Sequence, residues 1–305
     1  MVMIEMIDVY SNNNKKRKDL SIACIGYFDG IHKGHAALIH KVKELCHQEV
    51  PSIICFDNDP WIIMNKIKDA QYITPFSARM ELLYQMGIQR CFLLHFDEAM
   101  MHLSPNNFIH QVLEPLNLKG LVCGDDFHFG FCGKGTIHDL SQATFPLHVI
   151  PKLCIDGKKI SSTHIEQLLR NGNTRKAYQE LGRYYAIKGT VAHGSHVGGP
   201  LLGFPTANMI PKENYIIPKH GVYSGAIKYR NRLYKAMINV GHNPTMNFQE
   251  NTSLEAYILD FDQTIYGEEI IFYFYDYLRD EKKFSNITEL KEQLKTDVQH
   301  VRYQK

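Results

Sequence analysis

The chain has no cysteine pair spaced as CxxC among its seven cysteines, and that number is odd. Metal ribbons and a disulfide framework are thereby disfavoured, and reduced thiols in a cytosol are expected. Charge of one sign is also lacking. With 34 basic and 32 acidic residues the formal net charge is +2, so no strong field points at nucleic acid or a membrane surface. The one basic run, Lys15–Lys16–Arg17–Lys18, reads as a solvated linker. The longest apolar runs, such as Ile270 to Tyr275, are strand-sized and cannot span a bilayer. Residues 1–10 carry Glu5 and Asp8 without a long apolar stretch and do not read as a signal peptide. No internal repeat and no low-complexity tract is visible.

The chain does have ample apolar content. At 305 residues and 44% hydrophobic it can fill two cores. From Ser21 to Arg170 short apolar runs alternate with helical stretches. Ser21–Ile25, Pro51–Phe56, Arg90–His95, Leu121–Cys123 and Leu147–Ile150 read as strands, with a helix from about His35 to His47 after the first. Thr74–Pro75 and Ser104–Pro105 read as caps opening further helices. This order predicts βαβ units and a parallel sheet. Ser161 to Leu181 reads as one or two helices. Near Gly182 the texture changes to Tyr-, Ile- and Val-rich strands between Gly/Pro turns: a hairpin of Tyr223–Tyr229 and Leu233–Val240, then Leu254–Leu259 and Ile270–Leu278. An antiparallel barrel or sandwich follows, closed by a helix from about Ser285 to Arg302. The domain boundary is placed between 183 and 184, giving domains 1–183 and 184–305.

Where the first strand feeds its helix stands Gly26-Tyr27-Phe28-Asp29-Gly30-Ile31-His32-Lys33-Gly34-His35. Glycines let a backbone approach a phosphate, a helix N-terminus supplies amide donors, and His32 and His35 can face one anion. No Walker-type lysine is present. In the second half stands the string Gly203-Phe204-Pro205-Thr206-Ala207-Asn208, behind the Gly-rich run His193 to Pro200. Taken alone, the first stretch also reads as a turn with two incidental histidines, and the run His193 to Pro200 as a long turn.

Together the strings resemble the bacterial bifunctional riboflavin kinase/FAD synthetase family. The first segment is similar to its GxFDGxHxGH signature and the second to GFPTAN. Gly124-Asp125-Asp126-Phe127-His128-Phe129-Gly130 resembles GxDFxFG, Leu254 to Asp262 resembles VEVHILDFD, and Leu278 to Phe284 resembles LRxExKF. The resemblance implies a Rossmann-like α/β nucleotidyltransferase domain followed by a six-stranded antiparallel β-barrel kinase domain with a C-terminal helix. It implies two Mg²⁺-ATP reactions, riboflavin to FMN and FMN to FAD, with riboflavin, FMN and ATP as partners, neither nucleic acid nor membrane, and a cytoplasmic location. Residue by residue, it implies His32 and His35 as charge-stabilising groups and Gly26, Phe28, Asp29, Gly30, Gly34, Ser162 and Thr163 as nucleotide-binding. Asp126 and Phe129 fall at the flavin pocket of that half. In the kinase half it implies Gly203, Thr206 and Asn208 at the nucleotide, Thr206 and Asn208 at the metal, Glu255 as catalytic base, and Arg279 near flavin or nucleotide. Taken alone, Arg279 reads as a surface ion pair with Asp280 or Glu281.

The chain departs from the family at Tyr257, where histidine is usual, and at four further positions. Asn58 and Asp59 replace Pro and His of TFDPHP, and His164 and Glu166 replace the arginines of SSTRIR. A carboxylate about 4 Å from a phosphate charge costs roughly 4 kcal/mol at an effective dielectric near 20, unless Glu166 faces solvent with Arg170 as partner. Two alternatives therefore stand beside the bifunctional enzyme: a riboflavin kinase with a degenerate first domain, and a non-catalytic flavin- or nucleotide-binding regulator.

Overall fold

The computed structural model describes residues 4–10, 19–192, 206–242 and 252–303. The chain forms two compact units, Met1–Ala70 with Thr74–Ser161, and Gln71–Ile73 with Ser162–Lys305.

The first unit is built on six parallel strands: β1 (Glu5–Asp8), β2 (Ser21–Ile25), β3 (Val50–Phe56), β4 (Arg90–Leu94), β5 (Leu118–Gly124) and β6 (Leu147–Ile150). Their order is β1-β4-β3-β2-β5-β6, parallel at every pairing. Every residue of β2 is buried, as expected of a strand covered on both faces. Alternation divides its side chains: Ala23 and Ile25 enter one core, Ile22 and Cys24 the other. Helix α1 (Lys33–Leu45) follows β2 and buries Leu38, Ile39 and Val42.

Strand β1 has no counterpart in the sequence reading. Its pattern is exposed but for one residue, too weak a signal to mark a strand. It is secured by Arg90, 4% exposed, which bonds Glu5 at 2.7 Å, Ser21 at 2.9 Å, and Asp19. The two expected caps divide. Ser104 caps its helix by accepting from Asn107 N–H at 3.2 Å. Thr74 does not: helix α2 (Phe76–Gln85) starts after Pro75 without a side-chain cap. Thr74 N–H instead donates to Asp29 Oδ1 at 2.8 Å.

In the second unit, helices α3 (Ser162–Arg170) and α4 (Thr174–Leu181) precede six strands, β7 (Tyr185–Ala192), β8 (Thr206–Pro211), β9 (Gly221–Tyr229), β10 (Arg232–His242), β11 (Thr252–Ile258) and β12 (Glu269–Arg279). They close a barrel in the order β8-β11-β10-β9-β12-β7, antiparallel throughout. Helix α5 (Ile287–Tyr303) ends the described chain. Val222, Met237, Leu259 and Val301 form a buried cluster that Tyr257, Leu294 and Val298 extend, joining α5 to the barrel's outer surface.

The compact division falls between Ser161 and Ser162, ahead of helices α3 and α4. Helices α3 and α4 join the barrel unit, because Thr174 Oγ1 donates to the Tyr275 carbonyl at 2.8 Å and Lys219 N–H to the Leu169 carbonyl at 3.1 Å. The change in sequence texture falls later, at Gly182, which ends α4 at φ 75°; a left-handed cap of this kind suits glycine. Among the described residues no helix is long and apolar enough to cross a membrane.

Candidate functional site

In the first unit the loop after β2 has a strained, close-packed backbone. Phe28 is fully buried at φ 63°, a left-handed conformation uncommon outside glycine. Gly30 follows at φ 76°. Asp29 is 9% exposed, and its Oδ1 accepts the Thr74 N–H, fixing the loop against the entry to α2. His32 caps α1: its Nδ1 accepts from His35 N–H at 3.2 Å. A ring nitrogen that accepts carries no proton, so Nε2 is the nitrogen left to donate. The His32 and His35 rings stack at 3.7 Å with 12° between planes, and His35 packs 5.0 Å from the Phe28 ring. A Cβ on Gly34 would come within 3.1 Å of the His32 ring, and one on Gly26 within 3.2 Å of Phe28. Both glycines thus leave room for aromatic rings of the loop. The structure brings His32 and His35 together at a helix N-terminus that follows the carboxyl end of the central strand, a place where amides and imidazoles converge on an anion.

The other expected residues of this half are more dispersed. Asp126 is exposed and paired with Lys159, which together with the nearby Lys152 holds its carboxyl below the usual range despite partial burial. Phe129 is 6% exposed and packs at 5.3 Å from Phe108 and 5.8 Å from Phe127. Its ring belongs to the core, so it is not offered as a stacking face for flavin. Ser162 and Thr163 open α3, where the helix N-terminus provides amide donors. Both family-departing side chains on α3 already have neighbours: His164 Nδ1 lies 2.8 Å from Glu180 Oε1, and Arg170 Nε bonds Glu166 Oε1 at 2.9 Å. The Glu166–Arg170 pair is the solvent-facing arrangement allowed for above.

In the second unit the strand register assembles a site. Glu255 on β11 stands opposite Asn208 on β8 and opposite Asn239 on β10. Directly opposed residues share a face, and Thr206, two before Asn208, shares it too. Ala256 and Ile238, the alternate residues, are fully buried in the barrel. The polar row therefore lies on the barrel's outer face. Thr206 Oγ1 donates to Glu255 Oε2 at 3.5 Å. Burial raises the Glu255 pKa above the usual glutamate range, partly offset by hydrogen bonds from Thr206 and Ser253. A Cβ on Gly241 would meet Asn239 Nδ2 at 2.9 Å and Glu281 Oε1 at 2.6 Å, so only glycine leaves those side chains their places.

Two cavities open here. One, about 260 Å³, is lined by Thr206, Asn239, Glu255 and Arg279, with Tyr257, Phe284, Leu290 and Leu294 among its apolar walls. The other, about 230 Å³, is lined by Thr206, Ala207 and the run Phe261 to Tyr266. Thr206 borders both. Leu290 and Leu294 were not singled out from sequence; Tyr257 and Phe284 lie in strings that resemble the family's, and Asn239 opens another, Asn239 to Thr245, similar to NxGxxPT, but none of the three had been given a role. The pairing of Asn239 with Glu255 across strands is a register fact, and the leucines carry only an ordinary helical spacing. Arg279 pairs with neither Asp280 nor Glu281 through its guanidinium and a carboxylate; it bonds Asp297 on α5 and the Asp280 carbonyl. Gly203 lies outside the described residues, as do the Gly-rich run before it and Asn243–Thr245.

Among the described residues no group of three or more His, Cys, Asp or Glu could hold a metal. Thr206, Asn208 and Glu255 offer only oxygen, which fits a magnesium ion that also takes water and substrate phosphates as ligands and does not fit a dedicated protein cage.

The comparisons agree with this geometry. A family model for FAD synthetase matches residues 14–164, and one for riboflavin kinase matches residues 181–304. The chain is 34% identical to the bifunctional riboflavin kinase/FMN adenylyltransferase of Listeria monocytogenes over 287 residues, 92% of this chain and 91% of the relative. It is 34% identical to the protein of that name from Bacillus subtilis over 298 residues, 95% of this chain and 94% of the relative. A solved structure from Streptococcus pneumoniae, described as a macrolide-efflux protein, superposes with a TM-score of 0.89 at 30% identity, covering 99% of this chain and 100% of that one. With both domain models in order and the full-length relatives matched end to end, the chain belongs to the bifunctional riboflavin kinase/FMN adenylyltransferase family.

Proposed function

We propose that this protein makes flavin cofactors in two steps, phosphorylating riboflavin to FMN and adenylylating FMN to FAD, with ATP as the donor in both. The observation that carries the reading is the shared border of the two barrel cavities. A carboxylate with apolar walls lies on one side of Thr206 and a second cavity on the other. Riboflavin in the first and ATP in the second would meet at Thr206. Glu255 would take the proton of the terminal ribityl hydroxyl as its oxygen forms a bond to the γ-phosphorus and the bond to ADP breaks. Thr206 and Asn208 are the residues that would hold Mg²⁺, which neutralises charge on the phosphates. The Glu255 carboxyl is poised for this task, since burial raises its pKa toward neutrality and strengthens it as a base.

In the α/β half an FMN phosphate oxygen would attack the α-phosphorus of ATP and pyrophosphate would leave. His32 through Nε2, His35 and the α1 amides would bind the phosphate oxygens. Gly26, Phe28, Asp29, Gly30 and Gly34 shape that cradle, and the family resemblance gives Ser162 and Thr163 a nucleotide-binding role. Asp126 belongs at the flavin side, with Phe129 as backing and not a contact face. We assign functional modules of 1–183 and 184–305, a reading supported by family models that cover residues 14–164 and 181–304. A cytoplasmic setting fits the seven cysteines, all free.

Product analysis tests the reading. Purified protein with riboflavin, ATP and Mg²⁺ should give FMN and then FAD on chromatography. FMN alone would show a silent first domain, and neither product would sink the proposal.

A further inference from the structure

The side-chain cluster that the catalytic reading leaves unused is the buried contact between the end of β12 and α5. Asp297 is 2% exposed, a depth at which an unpaired carboxylate is not tolerated. It accepts from Arg279 Nε at 3.0 Å and Arg279 Nη2 at 2.7 Å, and from Gln293 Nε2 at 2.9 Å. Arg279 Nη1 donates to the Asp280 carbonyl at 3.1 Å, and its guanidinium carbon lies 6.0 Å from the Phe284 ring centroid. The arginine is thus fixed on three sides. Asp297 occupies the stripe of α5 that runs through Leu290, Leu294 and Val301, so the helix that supplies apolar walls to the Glu255 cavity also supplies the counter-charge.

We propose that Asp297 is a positioning residue for the acceptor substrate: it holds the Arg279 fork against the Glu255 cavity, where Arg279 recognises the flavin and not the nucleotide. Three points support this. Arg279 lines the cavity shared by Glu255, Phe284, Leu290 and Leu294, and does not line the one bounded by Phe261 to Tyr266. A guanidinium has five donors, and the contacts to Asp297 and Asp280 leave N–H groups on both Nη atoms uncommitted. Paired with a buried carboxylate, the fork is close to neutral. It suits a planar heteroaromatic ring with neutral carbonyl acceptors at its edge better than a polyphosphate. The inference rests on the assignment of the Glu255 cavity to riboflavin.

The test uses the full-length protein and steady-state kinetics with riboflavin and ATP varied separately. Asp297→Asn and Asp297→Ala should each raise the riboflavin KM, the alanine variant about tenfold, as for loss of one well-placed hydrogen-bonding group. The ATP KM and kcat should stay within about twofold, because neither the donor cavity nor Glu255 is touched. Arg279→Ala should give the same split, and the double variant Asp297→Ala/Arg279→Ala should be no worse than Arg279→Ala alone. The near-isosteric asparagine variant carries the test should the alanine variant not fold. A lowered Tm with an unchanged riboflavin KM would show that Asp297 only docks α5, and a raised ATP KM would place Arg279 at the nucleotide. Either result overturns the proposal. Wild-type protein that turns over no riboflavin would instead defeat the reading beneath it, so the two failures are distinct.

Discussion

The two phosphate-handling regions are built by opposite means. In the α/β unit, His32 and His35 come from four consecutive residues, and a helix start supplies the donors; nothing beyond local sequence is needed to bring the two rings within 3.7 Å. In the barrel, Thr206, Asn208, Asn239 and Glu255 come from three strands and meet only through antiparallel register. A local site is easy to read and tolerates distant change. A register site depends on a whole closed sheet, since a one-residue slip would turn every side chain to the other face. The regions also treat charge differently. The barrel keeps a half-buried carboxylate held by hydroxyls, whereas the loop after β2 holds the Asp29 carboxylate on the Thr74 backbone amide.

The largest effect should break the barrel side alone. Asn208→Leu removes from the register row an oxygen proposed to hold Mg²⁺ and should lower FMN formation on the order of 10²–10³-fold, with FAD formation from supplied FMN unchanged. Separate assays with riboflavin and with FMN check this. Next, His35→Ala should lower FAD formation about 10²-fold while FMN formation continues. Loss of both activities in either variant would mean that the two sites are not independent.

Much of this contrast was legible beforehand, and the unread part has physical causes. The strand–loop–helix string around His32 announces itself because its residues are contiguous, and the buried run of β2 is a strong strand signal. Strand β1 was invisible, being four mostly exposed residues held by an arginine far along the chain. The Thr74 cap was a reasonable local expectation, but the helix starts one residue later, with Pro75 at the cap position, so Thr74 lies just before it. Arg279 was expected near a ligand, yet its partner Asp297 lies on a different element, and local reading offered only Asp280 and Glu281. Asn239 stood in a string similar to the family's, but its place opposite Glu255 needed the strand register.

Two smaller effects sharpen the comparison. Glu166→Arg should raise FAD formation only severalfold, less than the full Coulomb estimate, because the wild-type carboxylate is solvent-screened and already paired with Arg170. A thousandfold gain would show that Glu166 opposes the phosphates directly. The smallest concerns stability. Glu255 binds its proton more tightly folded than unfolded, so ionising it as pH rises costs stability. Glu255→Gln should therefore melt somewhat higher than wild type at pH 7, with the gap closing in acid as wild type takes up its proton. Thermal melts across pH measure it.

The central claim is that Glu255 is the base of the kinase reaction, and its most direct test is the pH–rate profile of riboflavin phosphorylation by wild type and Glu255→Gln. Wild-type rate should fall as acid protonates a carboxyl whose pKa lies above the ordinary glutamate range. The variant should be about 10²–10⁴-fold slower and lack that acidic limb, while still converting FMN to FAD. A variant that makes FMN at the wild-type rate with the same acidic limb would contradict the account.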